Sequence, residues 1–371
     1  MIEHTPLEVA QLSAAAQKAL GPGPGKMMAS RGMAPLPPVD QLSVLYQIIL
    51  DNDQALAKSA RETAAKLPDT LLAAALVNGT LDRRVIDYFA QVAGNRPTVF
   101  DAIVQNPTIA DETLATMAGK LGANEVDRIA GNEQRLLRHP QIIAAMYMNR
   151  EARMSTVDRA VELAVRNNVR VPGLAAWDEI ARAIQSEKLQ AGADQDALFA
   201  TAANAGGDDT ALTQGDAEAA RDEDELEPIA LEQAKELPIS ELSMPAKIRL
   251  ATLGNAFARG QLIRDHMRVV AMAAVKSPGV TEFEASRYAG NQALSADVIS
   301  YIAGKREFTK LYGTKYALCR NPKTPISESM RLLPFLREKD IIKISKSKGV
   351  PSAVVQQARK LLSQRRGGKP S

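Results

Sequence analysis

The feature that most limits what this chain can become is a recurring stop. Apolar, helix-forming segments of roughly 9–15 residues, ordinary helix lengths, end again and again at junctions of one chemical kind. Asn78-Gly79-Thr80, Asn106-Pro107-Thr108, His139-Pro140-Gln141, Ser277-Pro278-Gly279 and Asn321-Pro322-Lys323-Thr324-Pro325 each follow an apolar helix end and precede another helix. Gly131-Asn132, Gly254-Asn255 and Gly290-Asn291 follow apolar residues in the same way. Proline cannot continue a helix. Asn and Gly tolerate the left-handed conformation that ends one. A hydroxyl then starts the next. Ser155-Thr156-Val157-Asp158 and Thr281-Glu282-Phe283-Glu284 fit the capping-box spacing. Thr324 before Pro325 fits a cap followed by a first helical turn.

The segments between the stops are rich in Ala, Leu, Met, Gln, Arg and Glu, all good helix formers. The alternating β-branched runs that a sheet needs are nearly absent. The fold class expected is therefore all-α. The step from Asn78 to Asn106 and the step from Asn291 to Asn321 are similar in length without being equal. Both fall among the periods of about 20–50 residues that point to stacked supersecondary units. An irregular α-solenoid is the expected architecture, ahead of an irregular helical bundle with ordinary caps.

Composition divides the chain. Residues 1–40 hold one short helical candidate, Pro6 to Leu20, then Gly21-Pro22-Gly23-Pro24-Gly25 and three more prolines. They read as a disordered Pro/Gly-rich arm. Helical periodicity then fills an N-terminal module over 41–190. Residues 191–236, mostly Ala, Gly, Asp and Glu, read as an acidic flexible linker. A basic C-terminal helical module follows over 237–364, and residues 365–371 read as a frayed basic tail.

The net charge of +3 conceals a split. Residues 237–371 carry 24 basic and 9 acidic side chains; residues 1–236 carry 22 basic and 34 acidic. Within the linker, Asp208 to Glu227 holds nine acids against Arg221 alone. Such asymmetry points to a charged partner and says nothing about fold.

Most chemistries lack their residues. One cysteine, Cys319, allows no intrachain disulfide and no cysteine-built zinc site. His4, His139 and His266 stand far apart, without ligand spacing. Gly21-Pro22-Gly23-Pro24-Gly25-Lys26-Met27 fails as a phosphate loop: Leu20 and Met27 occupy the required Gly and Ser/Thr positions, and the prolines remove amides. Cys319 ends the apolar run Tyr316-Ala317-Leu318 and reads as a small core residue. Asp265 and His266 are neighbours that would diverge on a helix. No metal, no cofactor and no catalytic residue is expected. The N-terminus lacks the features of a secretory signal, and no apolar run is long enough to span a membrane, so a cytoplasmic setting is expected.

The basic module carries the candidate contacts. Lys305, Arg306, Lys310, Lys315, Arg320 and Lys323 are interleaved with Phe308, Tyr312 and Tyr316, spaced four apart. These aromatics form either a base-stacking strip or, as preferred, the core face of an amphipathic helix. Lys343, Lys346 and Lys348 form a second basic segment before a closing helix. It reads as a capping unit in preference to a helix-turn-helix.

Two resemblances add to this reading. Leu318-Cys319-Arg320-Asn321-Pro322-Lys323-Thr324-Pro325, with Met330, Leu332 and Leu333, resembles one unit of the leucine-rich repeat variant. That family stacks short helices into a right-handed superhelix, in the style of HEAT repeats. Gln105-Asn106-Pro107-Thr108, then Thr113-Leu114 and Met117-Ala118, is a weaker copy. The blocks from Arg138 to Arg159 and from Asn321 to Pro351 resemble a group of helical proteins from delta-proteobacteria with no established activity. That resemblance implies a cytoplasmic, non-enzymatic role. The function expected is a scaffold or adaptor whose basic C-terminal module binds an acidic protein. The alternative is a nucleic-acid-associated protein gripping phosphates with the same module.

Overall fold

Short helices start where a side chain or a proline replaces the missing first-turn bonds. Ser13, Asp53, Asp82, Asn132, Ser243, Asn255, Thr281 and Ser295 each accept a backbone N–H of the helix they open. Pro24, Pro38 and Pro97 occupy first-turn positions. The result, in a computed structural model that describes residues 2–21, 23–186, 193–204 and 239–367, is all-helical, with no strand among the described residues.

Two compact units divide at Gly173 and Leu174. The first contains α1 (Ala14–Leu20), α2 (Pro24–Ser30), α3 (Pro38–Ile49), α4 (Gln54–Lys66), α5 (Asp69–Leu76), α6 (Arg83–Ala93), α7 (Pro97–Gln105), α8 (Asp111–Ala118), α9 (Ala123–Ala130), α10 (Glu133–Arg138), α11 (Gln141–Met148) and α12 (Met154–Arg166). The second contains α13 (Trp177–Ser186), α14 (Ala193–Asn204), α15 (Met244–Leu253), α16 (Ala256–Leu262), α17 (Arg268–Lys276), α18 (Glu282–Gly290), α19 (Ala296–Gly304), α20 (Tyr312–Arg320), α21 (Ile326–Leu332), α22 (Glu338–Lys346) and α23 (Ser352–Gly367).

Within each unit, helices pack on their chain neighbours and again on a helix one or two further along. The tightest of these longer pairings are α5 with α7, α8 with α11, α15 with α17, and α18 with α20. One device joins the ends of all four pairs. The last carbonyls of a helix have no partner inside it, and buried ones cost free energy if left bare. Asn106, after α7, donates Nδ2 to Leu76 O at 2.5 Å and Asn78 O at 3.0 Å, at the end of α5. Asn149, after α11, donates to Ala118 O at 2.8 Å and Leu121 O at 2.7 Å, at the end of α8. Asn321, after α20, donates to Ala289 O at 2.8 Å and Asn291 O at 3.4 Å, at the end of α18. Ser277, after α17, places its single hydroxyl donor on Thr252 O of α15 at 3.3 Å. All four side chains are buried.

The acceptor half of each side chain turns the chain locally. Asn106 Oδ1 takes the N–H of Thr108, Asn149 Oδ1 that of Glu151, and Asn321 Oδ1 that of Lys323. This changes the meaning of the junction residues. Asn106, Asn149, Asn291 and Asn321 have φ between −67° and −84° with extended ψ. They are not left-handed. Gly131 and Gly254 also keep negative φ. Asparagine is used for its amide, which serves one helix and clasps another.

Other expected caps move as well. Thr281 and Glu284 do form the reciprocal capping box. Ser155 does not start a helix: α12 begins at Met154, and Thr156 spends its hydroxyl on Asp127. Thr324 donates back to Leu318 O at 2.7 Å, while Pro325 takes the cap position of α21 without a side-chain bond.

The arm, expected to be disordered, is packed. Gly23, at φ 120°, lets Pro24 start α2, and Ala16, Ala19 and Ala29 are small enough to bury. His4 Nε2 meets Asp87 at 2.8 Å, Tyr46 donates to Thr5 O, and Leu7 N–H donates to Gln47. Part of the stretch expected to be flexible is likewise ordered. Helix α14 packs on α15 and buries Phe199, with the Arg249 guanidinium 4.6 Å above its ring. Residues 205–238 and 368–371 lie outside the described residues. Of the stretch expected to fray, residues 365–367 continue α23, and Arg365 clamps Leu336 O and Pro334 O.

A second register runs over the first unit. Arg96–Asp69, Arg128–Asp101 and Arg138–Asp111 are ion pairs that each span the same length of chain. Asp111 accepts two bonds of 2.7 Å from Arg138. That hydrogen bonding holds its carboxyl below the usual aspartate value.

Replacing Asn106 or Asn321 with Ala should destabilise the protein by about 2–3 kcal/mol, since buried carbonyls lose their donors. Asn78→Ala, at an exposed turn, should change it by less than about 1 kcal/mol. Equilibrium denaturation measures both. Asp111→Asn should lower stability near neutral pH. The lowered native value makes this stabilisation fully present above the unfolded aspartate value, about 3.9, and lost as pH falls through the native value. The difference between variant and parent should therefore close in acid.

Candidate functional site

Helix α20 packs on both α18 and α22, and these helices with the turns before them carry a connected basic surface. Helix α20 starts at Tyr312, directly after the extended residue Leu311. Phe308 lies before that break, in a separate turn, and is buried. The three aromatics thus do not share one helix face. Tyr312 and Tyr316 do, and both are half-buried. Neither presents a free ring: the Arg337 guanidinium lies 4.6 Å over Tyr312, and Arg320 lies 5.3 Å over Tyr316.

The Tyr312 hydroxyl ties the surface together. It donates to Asp340 on α22 and accepts the Arg337 N–H at 3.0 Å. Burial, aided by the bond to Asp340, pushes its pKa up to about 12, so it remains a donor at neutral pH. Asp340 also faces Lys343, 3.7 Å away. One turn along α20, Lys315 reaches the Lys310 carbonyl at 3.1 Å and stands 5.9 Å from the ring of Phe335. Lys310 itself is 3.7 Å from Glu282 of α18.

Of the nine candidate cations, Lys310, Lys315 and Lys343 therefore belong to one connected patch. Lys323 is used elsewhere: its ammonium donates to Ala293 O and Leu294 O, across the same helix ends that Asn321 joins. Lys305 lies 5.6 Å from the ring of Tyr301, whose other neighbour is Lys276, bonded to buried Glu179 at 2.9 Å. Arg320 covers Tyr316. Arg306, Lys346 and Lys348 are exposed, the last two at and beyond the end of α22.

Two patch residues escaped sequence reasoning, Arg337 and Phe335. Phe335 is 66% exposed although it stands in the apolar run Leu332-Leu333-Pro334-Phe335-Leu336. Pro334 is the available signal. It stops α21 and sets a short 3₁₀ turn, so that Leu333 and Leu336 point inward and Phe335 points out.

The reactive groups elsewhere are held in structural roles. Cys319 is buried, and burial raises its thiol to about 12. Asp265 and His266 approach to 3.3 Å because they sit in a turn, not on the helix assumed above; Asp265 is also bonded to Lys247. Arg259 and Glu284 form a buried bidentate pair, and Arg259 lies so close to Gly279 that a Cβ there would stand 2.7 Å from the guanidinium. Among the described residues, no three His, Cys, Asp or Glu side chains gather as metal ligands, and no helix is long and apolar enough to cross a membrane. Comparison with protein-family models, curated proteins and solved structures finds no match to this chain.

With its pKa raised this far, Cys319 should resist iodoacetamide in the folded protein at mildly alkaline pH and react once the chain is unfolded, as read by mass spectrometry.

Proposed function

We propose that this chain is a non-enzymatic scaffold whose basic C-terminal region binds an acidic protein. The observation that carries the reading is the linked surface of Lys310, Lys315, Arg337 and Lys343 around Tyr312. Its charges come from α20 and α22 and from the turns that precede them. Helices that pack again one or two further along, joined at their ends by asparagine, suit an irregular α-solenoid of the HEAT or leucine-rich-repeat-variant kind. In this reading each of the two units is one such module, and the acidic stretch 191–236 lies within the second. The lone buried cysteine suits a reducing, cytoplasmic setting.

The nucleic-acid alternative needs aromatic faces on which bases can stack. Arg337 and Arg320 already lie over Tyr312 and Tyr316, which favours a protein partner.

Full-length protein should bind polyglutamate with an affinity that falls as salt rises. Reversing two exposed or half-exposed charges, Lys310→Glu with Lys315→Glu, should weaken binding by roughly tenfold or more. Tighter binding to duplex DNA or single-stranded RNA than to polyglutamate would overturn the reading in favour of nucleic acid. Failure to bind polyglutamate at low salt would remove it.

A further inference from the structure

We infer that Phe335 is a preformed anchor that receives an aromatic side chain from an acidic segment of the partner. The inference rests on the scaffold reading above and names what the basic surface recognises beyond charge.

An exposed phenylalanine alone would say little. Here the backbone around it is clamped on both sides. Arg365, from the last helix, donates to Pro334 O at 2.7 Å and to Leu336 O at 3.0 Å, the carbonyls flanking Phe335. The Leu336 side chain is buried, and its N–H is bonded to Leu333 O. The next N–H, of Arg337, donates to the Tyr312 hydroxyl. These anchored groups hold one large apolar ring in water. With the backbone fixed, only the two side-chain torsions of the ring remain to be ordered when a partner covers it.

Its surroundings define the partner. The Lys315 ammonium stands 5.9 Å from the ring centroid, and Lys315 and Lys310 are in contact. Arg337 follows closely along the same turn. Two acids beside this group are engaged: Asp340 by Tyr312 and Lys343, and Glu282 by Lys310. A carboxylate-rich segment would meet the cations while its aromatic ring packs on Phe335. Aromatic pairs of this kind add to area burial.

The test uses the full chain, polyglutamate, and a random glutamate–tyrosine copolymer of matched length and charge, at one moderate salt concentration. The copolymer should bind the parent roughly tenfold more tightly than polyglutamate, the gain expected from burying one ring. Phe335→Ala, an exposed change that should leave circular dichroism and melting unaltered, should abolish that preference, so that the two polymers bind it alike. Phe335→Leu should keep part of it. Equal binding of the two polymers by the parent, or an unchanged preference in Phe335→Ala, would overturn the anchor while leaving the charge-based reading standing. Failure of both polymers to bind would overturn both.

Discussion

Three of the closest helix pairs among the described residues, α5 with α7, α8 with α11 and α18 with α20, are joined by a side-chain amide that replaces water at the end of a helix. Short helices are poor at satisfying themselves, because unpaired terminal groups make up a large share of their backbone. A chain built from short helices therefore buries many bare carbonyls when it packs. Asparagine answers this with two donors and an acceptor on a short, stiff stem. Asn106, Asn149 and Asn321 each bond two carbonyls of the companion helix end and one amide of their own turn. Where serine stands, at 277, one donor serves one carbonyl. These joined pairs are among the most closely packed in the molecule.

This clasp also places the basic surface. Asn321 joins the end of α20 to the end of α18, and Lys323, just beyond it, bonds two further carbonyls across the same junction. Helix α20 is thereby held at its C-terminal end, while Tyr312 ties its N-terminal end to α22 through Asp340. The side chains between those ties, Lys315 and Tyr316, stand on a helix fixed at both ends. Lys315 is thus carried on a helix fixed by bonds made for packing.

Much of this was legible in the chain. Helical class, the eight junctions named from the sequence, and the similar steps from Asn78 to Asn106 and from Asn291 to Asn321 follow from residue type and order. The use of asparagine did not, because a stop residue seen alone shows its own turn and not a carbonyl at the end of an earlier helix. Asn149 was missed for a related reason: Asn149-Arg150-Glu151 contains no proline or glycine to mark it. The evenly spaced arginine–aspartate pairs were readable in principle as a second copy of the period. The arm was misread because Gly and Pro were weighed as composition, when Pro24 stands at the one helical position that suits it. At the site, the lysines could be found by charge, but their grouping required knowing that Lys323 is spent on carbonyls. Phe335 was hidden because an apolar run shows no direction until the turn at Pro334 is known.

Hydrogen exchange in Asn321→Ala, followed amide by amide, tests the clasp most directly. If Asn321 holds two helices together, protection should fall in α18 and α20 alike, although α18 is distant from the substitution along the chain, while α5 and α7 remain as in the parent. Loss of protection confined to the turn at 321–324, with α18 unchanged, would show that asparagine serves only its own turn and would contradict the account.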